Sequence, residues 1–178
     1  MEDDNTCASL AEILLDQHVI AKRIMELGVE IGASLRGLEP VIMPVLDGGM
    51  IFAADLMRAI PLPQVLLPVK ASSYGNSTVS SGTVHLPWGI PSTVRDRDLL
   101  LVDDILDTGQ TLTVLREKLL ESGARSVRTC IFLRKESAVG FSADYVAFEI
   151  PDRFVVGYGL DLAGRYRNLP VVGIPRSH

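Results

Sequence analysis

Three carboxylates, two hydroxyls and a glycine stand close together in residues 102–111, VDDILDTGQT: Asp103, Asp104, Asp107, Thr108, Gly109 and Thr111. Backbone N–H groups at a helix start, two hydroxyls and a glycine that permits close approach make a seat for phosphate. Carboxylates beside such a seat repel the ligand unless they face sugar hydroxyls, a divalent cation or a proton in transfer. Together the residues imply a phosphorylated sugar held with a metal.

Positioning them requires a strand before and a helix after. Residues 99–102 are wholly apolar, and Leu112, Leu115, Leu119 and Leu120 recur at helical spacing with Arg116, Glu117 and Glu121 between them. An all-apolar strand suits a parallel sheet covered on both faces, where ligands bind beyond the carboxyl ends of the strands. Upstream, residues 12–15 read as a short strand, and Asp16 can cap a helix to about Leu35 that Gly37 closes. Val41–Leu46 forms a second buried strand. It runs into Asp47-Gly48-Gly49 and a helix over residues 50–60. That turn is either another place where backbone approaches an anion or a tight turn with packed glycines.

Residues 65–69 form a third strand, and residues 71–94 change to a Ser-, Thr-, Gly- and Asn-rich segment that fits a lid loop. Further strands are expected over 127–133, which ends at Arg134-Lys135, and over 145–150, 154–158 and 171–174. Strands alternating with helices, then short strands in succession, imply an α/β fold: a mainly parallel twisted sheet flanked by helices, with a small β-rich hood. Neither repeats nor an interdomain linker interrupt the chain, so residues 1–178 are expected to form a single domain.

Composition narrows the function classes. The 178 residues carry a net charge of −5, from 17 Lys and Arg against 22 Asp and Glu, which disfavours a general nucleic-acid or anionic-membrane surface. The mean hydropathy of +0.26 fits a globular core. Cys7 and Cys130 have no partner at metal or redox spacing, and His18, His85 and His178 are scattered. The acidic start MEDDNT differs from a secretory signal, and the apolar runs are shorter than the ~18 residues of a membrane span. A soluble cytoplasmic protein is expected.

VDDILDTGQT resembles the ribose-phosphate signature of the type I phosphoribosyltransferases. Ser72-Ser73-Tyr74-Gly75, Lys135, the run FEIPDRFVVGYGLD at 148–161 and YRNLP at 166–170 extend the likeness to the hypoxanthine-guanine branch, over about residues 10–174. The resemblance implies transfer of ribose 5-phosphate from phosphoribosyl pyrophosphate to a ring nitrogen of a 6-oxopurine, hypoxanthine first and guanine second, with Mg²⁺ present. Asp103 and Asp104 would face the ribose hydroxyls and the metal, and Thr108, Gly109, Gln110 and Thr111 would hold the 5-phosphate. Asp107 would take the purine proton as the catalytic group. Asp47, Gly48, Gly49, Ser73, Tyr74 and Arg167 would meet pyrophosphate, with Tyr74 and Ser73 closing over it. Lys135, Phe154, Val155 and Asp161 would form the purine end, Asp161 also contacting the metal. A homodimer or homotetramer is implied as well.

Two positions depart from the family pattern: Asp47 stands where Lys is common, and Gln110 where a basic residue is frequent. Asp47 is compatible with a loop that binds pyrophosphate through main-chain N–H groups. The competing classes are a phosphoribosyl-pyrophosphate-binding regulator on the same fold and a xanthine-preferring enzyme. A phosphoacceptor domain is disfavoured because all three aspartates share one stretch, and a Walker-type nucleotidase because its Gly-rich Lys motif is missing from the sequence.

Overall fold

Long apolar runs set the architecture. The computed structural model describes residues 7–73 and 84–176. The chain passes through β1 (Leu10–Leu15), α1 (Gln17–Ser34), β2 (Val41–Leu46), α2 (Gly49–Ala59), β3 (Val65–Leu66), β4 (Val69–Lys70), β5 (Ser72–Ser73) and β6 (Val84–His85). It continues through β7 (Asp98–Leu106), α3 (Gln110–Glu121), β8 (Ser126–Lys135), β9 (Tyr145–Ile150) and β10 (Val172–Pro175). The central sheet has the order β3-β2-β7-β8-β9, with β4 also on β2, and every pairing in it is parallel.

Because side chains alternate along a strand, β7 feeds two cores. Leu100 and Val102 join Ile24, Leu27 and Ile31 of α1 and Phe52 and Leu56 of α2. Leu99 and Leu101 point to the other face, with Leu112, Leu115 and Leu119 of α3. Full burial of each such side chain is worth ~1.5–3 kcal/mol. α1 begins as expected, since the Asp16 carboxylate accepts from the N–H groups of His18 at 2.7 Å and Val19 at 3.1 Å. Those two bonds hold its pKa below the usual carboxylate value.

The two crossovers decide where a ligand fits. β2 leads through α2 to β3 on one side, while β7 leads through α3 to β8 on the other. Right-handed crossovers running in opposite directions must lie on opposite faces of the sheet, which they do, so the β2–β7 boundary is a topological switch point.

Several elements differ from their sequence expectation. The strand expected at 65–69 is two short pieces, because Pro68 has no N–H and faces a stretch of β2 that contains Pro44. No regular strand forms over 154–158: only isolated bridges join Val156 to Gly173 and Gly157 to Leu160. Three successive left-handed residues, Gly157 (φ 97°), Tyr158 (φ 49°) and Gly159 (φ 100°), turn the chain there. The hood is therefore the antiparallel pair β1–β10 with a bridged loop beside it. Within the 71–94 segment expected as a lid, β5 pairs with β6, and Leu86, Ile90 and Val94 pack on the α3-side core. Among the described residues, no helix is long and apolar enough to cross a membrane.

Candidate functional site

β7 is longer than its apolar run. It continues through Asp103 to Leu106, paired with β8 from Asp103 opposite Ile131 to Leu106 opposite Arg134. Its ladder with β2 stops at Val102 opposite Pro44. Beyond that point β2 turns away into Asp47-Gly48, and a crevice opens between the two strands. Asp103 and Asp104, expected in a loop, are thus strand residues at the edge of a split in the sheet.

A cavity of about 300 Å³ occupies the split. It joins Asp47 and Gly48, the acid pair, the Asp107–Thr111 loop, Asp161 and Arg167. Asp103 is buried, and its Oδ1 accepts from the Asp104 N–H at 3.0 Å. Burial, and then the charge of Asp104, push the Asp103 carboxyl well above its usual value. Burial also raises Asp104, against the opposing influence of its hydrogen bonds and of the Arg167 charge. Asp104 lies hard against the β2 turn: a Cβ placed on Gly48 would sit 1.6 Å from its Oδ2. Gly48 is what lets that carboxylate reach across the crevice.

α3 starts at Gln110, two residues before the first leucine of its apolar stripe, so Thr108 and Gly109, which the sequence suggests for its first turn, lie in the turn ahead of it. Gly109 is the N-cap in a left-handed conformation, φ 74°, and offers no side-chain cap. Thr111 and Leu112 of the first turn line the cavity, and the Thr108 hydroxyl accepts from the Gln110 N–H at 3.5 Å. The turn is fixed by the Gly109 carbonyl, which accepts from the N–H of Thr113 at 2.9 Å and from its hydroxyl at 3.0 Å.

The C-terminal end of β8 brings Lys135 beside this loop. Its Nζ donates to Asp107 Oδ2 at 3.2 Å and lies 3.5 Å from Asp152 Oδ1. Phe154 is 57% exposed next to the buried Val155, so an aromatic face is open to a flat ring. Arg167 pairs with Asp161 at 2.7 Å and also donates to the Gly159 carbonyl, while the second oxygen of Asp161 accepts from the Gly164 N–H at 2.7 Å. Gly49, Lys135, Phe154 and Val155 do not line this cavity: Gly49 follows Gly48 directly and Lys135 reaches a lining residue through Asp107, whereas Phe154 and Val155 lie outside it. Ser73 belongs to β5, and Tyr74 lies outside the described residues.

Two groups escaped the sequence reading. Lys70 of β4 bonds Asp47 Oδ2 at 2.6 Å and thereby lowers the Asp47 pKa. An ammonium thus stands beside the turn although position 47 itself is acidic. Asp152 lies inside the run FEIPDRFVVGYGLD, yet its approach to Lys135 depends on pairing between β8 and β9 that spacing alone does not reveal. The donor set fits a hard cation: carboxylate oxygens only, from the buried Asp103, the half-buried Asp104 and Asp161. Among the described residues, no three His, Cys, Asp or Glu side chains group to hold a metal unaided. That suits Mg²⁺, which usually takes one or two carboxylates and completes its shell with water and substrate phosphates.

The phosphoribosyl transferase domain model matches residues 11–162. A hypoxanthine-guanine phosphoribosyltransferase of Bacillus subtilis (strain 168) is 41% identical over 167 residues, which cover 93% of this chain and 93% of the relative. One from Mycobacterium avium is 44% identical over 172 residues, 92% of this chain and 85% of the relative. The solved structure of a hypoxanthine phosphoribosyltransferase from Staphylococcus aureus aligns with TM-score 0.90 at 34% identity, over 95% of this chain and 93% of that one.

Proposed function

The chain belongs to the phosphoribosyltransferase family, and on that premise we propose that it is a purine-salvage enzyme, a hypoxanthine/guanine phosphoribosyltransferase. It transfers ribose 5-phosphate from phosphoribosyl pyrophosphate to a 6-oxopurine, hypoxanthine first and guanine second, releasing pyrophosphate. The observation that carries this reading is the single cavity that unites the acid pair, the Asp107–Thr111 loop and the Asp161–Arg167 pair at the strand ends.

The roles follow the chemistry of each group. Thr108, Gly109, Gln110 and Thr111 seat the 5-phosphate at the start of α3. Asp103 and Asp104 would take the ribose hydroxyls, and this pair or Asp161 would hold Mg²⁺, with water and substrate oxygens completing its shell. When bound, the metal offsets negative charge on the departing pyrophosphate. Asp161 is paired with Arg167, whose guanidinium would meet pyrophosphate on that side of the cavity. Gly48 and Gly49 contribute main-chain N–H groups on the same side, with Asp47 held away by Lys70. Ser73 and Tyr74 cover the leaving group and exclude water.

At the other end, Lys135 donates to the 6-oxo group while Phe154 stacks on the ring and the Val155 backbone reads its far edge. Asp107 accepts the ring proton as the new bond forms at the anomeric carbon, whose transition state is cation-like. The 3.2 Å contact between Lys135 and Asp107 supports this division, since a 6-oxopurine that engages both replaces their mutual bond with two of its own. We place the reaction in the cytoplasm. We also infer a homodimer or homotetramer, a reading supported by the exposed Met25 and Val29 of α1.

An assay of nucleoside monophosphate formation from phosphoribosyl pyrophosphate and Mg²⁺, with hypoxanthine, guanine, xanthine and adenine in turn, tests the proposal. Hypoxanthine is expected to give the highest kcat/KM and adenine no product. No product from any of the four bases overturns it, and a preference for xanthine overturns the substrate assignment.

A further inference from the structure

The left-handed run Gly157-Tyr158-Gly159 sits behind the pyrophosphate side of the site, and its middle residue is anchored at both ends. The Tyr158 ring packs in the core, with its centroid 4.7 Å from that of Phe132. Its hydroxyl donates to Asp55 Oδ2 on α2 at 2.6 Å. Burial and the Asp55 carboxylate push the hydroxyl pKa up, so it stays a donor across the working range. A tyrosine at φ 49° occupies a conformation that L side chains adopt rarely, and such backbone persists only where its surroundings over-determine it.

That conformation presses Gly159 onto the active site. A Cβ on Gly159 would meet the Gly48 carbonyl oxygen at 2.3 Å, so the two backbones are in direct contact. The Gly159 carbonyl accepts from the Arg167 guanidinium, and the Gly159 N–H donates to the Arg167 carbonyl at 2.9 Å. The Tyr158 N–H donates to the Leu169 carbonyl at 2.9 Å. The connections close a ring: Gly48 leads into α2, α2 carries Asp55, Asp55 holds Tyr158, and Gly159 returns to Gly48. Neither Tyr158 nor Asp55 lines the cavity.

We propose that the Tyr158–Asp55 pair is a positioning device that sets the Gly48 turn and the Arg167 guanidinium against each other for pyrophosphate, without touching substrate. The inference rests on the proposed function, because it assigns pyrophosphate to that side of the cavity. Its effect is confined to one substrate: loosening the ring changes how the pyrophosphate half of phosphoribosyl pyrophosphate is held, while Lys135, Asp107 and Phe154 keep their own supports.

The test compares Tyr158→Phe, Asp55→Ala and Asp55→Asn in steady-state kinetics, varying each substrate separately, with Tm measured alongside. Tyr158→Phe and Asp55→Ala are expected to raise KM for phosphoribosyl pyrophosphate by at least about fivefold while KM for hypoxanthine stays within about twofold. Asp55→Asn keeps an acceptor for the hydroxyl and is expected to stay within about twofold for both substrates. The Tyr158→Phe/Asp55→Ala double variant is expected to match Asp55→Ala, which removes the Tyr158 bond together with the exposed Asp55–Arg58 ion pair. A lowered Tm with both KM values unchanged, or a parallel rise in both, overturns the proposal. Should the wild-type protein make no nucleotide, the functional reading fails separately. Titration calorimetry of wild type, Asp55→Ala and Tyr158→Phe with Mg²⁺ and inorganic pyrophosphate then decides the pairing, and equal affinities, or no binding to wild type, overturn it.

Discussion

Replacing Gly48 with alanine separates the position of one carboxylate from the integrity of the fold. Gly48 has φ −64° and ψ −44°, a helical conformation that alanine adopts freely. The new methyl would lie 1.6 Å from Asp104 Oδ2 and 2.5 Å from Asp104 Cγ, where real Cβ contacts begin at about 3 Å. The side chain of Asp104 can rotate, whereas the backbone is held by the start of α2 and by Gly159, so the carboxylate gives way by more than 1 Å. Misplacement of a site group by about 1 Å can cost ~10²-fold in rate, so kcat/KM for phosphoribosyl pyrophosphate is expected to fall about 100-fold, equivalent to ~2.7 kcal/mol of transition-state stabilisation. Stability moves little, because Gly→Ala at a compatible site contributes ~0.4–1 kcal/mol that the altered Asp104 rotamer partly offsets. The assay is initial-rate nucleotide formation beside a thermal melt, with Tm expected within about 4 °C of wild type. Catalysis within about threefold of wild type would refute the reasoning, and a collapse of Tm would mean that backbone rather than the Asp104 side chain yields.

Asp107→Asn removes the proposed proton acceptor and is expected to lower kcat by ~10²-fold or more while phosphoribosyl pyrophosphate still binds in calorimetry; near-normal turnover removes Asp107 from the role. Asp47→Ala breaks a surface ion pair with Lys70 and is expected to change pyrophosphate affinity by no more than about threefold, since such pairs contribute ~0–1 kcal/mol; a larger loss, measured by calorimetry, would give the side chain a direct part. Asp98 is buried and bonded to Arg125 and Ser126, which hold its pKa below the usual 3.8. Its stabilisation is therefore complete above the unfolded value and is lost as pH falls through the lower folded value. Asp98→Asn is expected to cost about 1–2 kcal/mol at pH 7 in urea unfolding, discounted for the exposed Arg125, and to lose less further stability than wild type between pH 4 and pH 2; equal acid slopes would refute the assignment.

The parts of the site that lie together in sequence were legible in sequence. An apolar strand, two acids, a third acid and a Thr-Gly-Gln-Thr turn arrive in chain order, and the fold sets them on β7 and at the start of α3 in that order. The acids proved less loop-like than their polarity suggests, because β8 pairs with β7 past the point where β2 leaves, and backbone pairing outweighs side-chain polarity in fixing the strand's end. Contacts that cross the chain were illegible: Lys70 finds Asp47 only because β4 lies parallel to β2, and Tyr158 finds Asp55 across 103 positions. The valines and aromatics of 154–158 suggest a strand, yet the left-handed Gly157-Tyr158-Gly159 turn overrides that propensity.

The extension of β7 also divides labour between carboxylates of the same type. Asp103 is locked into the ladder opposite Ile131, and Asp104 is wedged against Gly48, so both are fixed by backbone on either side of the crevice. Asp107 stands beyond the last paired residue, 59% exposed at its side chain, with Lys135 as its bonded partner. A group that organises a sugar and a metal works best when its position is settled before substrate arrives, since no reorganisation is then needed in the transition state. A group that receives a proton must instead follow the incoming ring and trade one bond for another. Rigidity at the split and freedom one turn later are what a single strand running past its neighbour supplies, and on the proposed roles the reacting bond falls between the end of β7 and the end of β8.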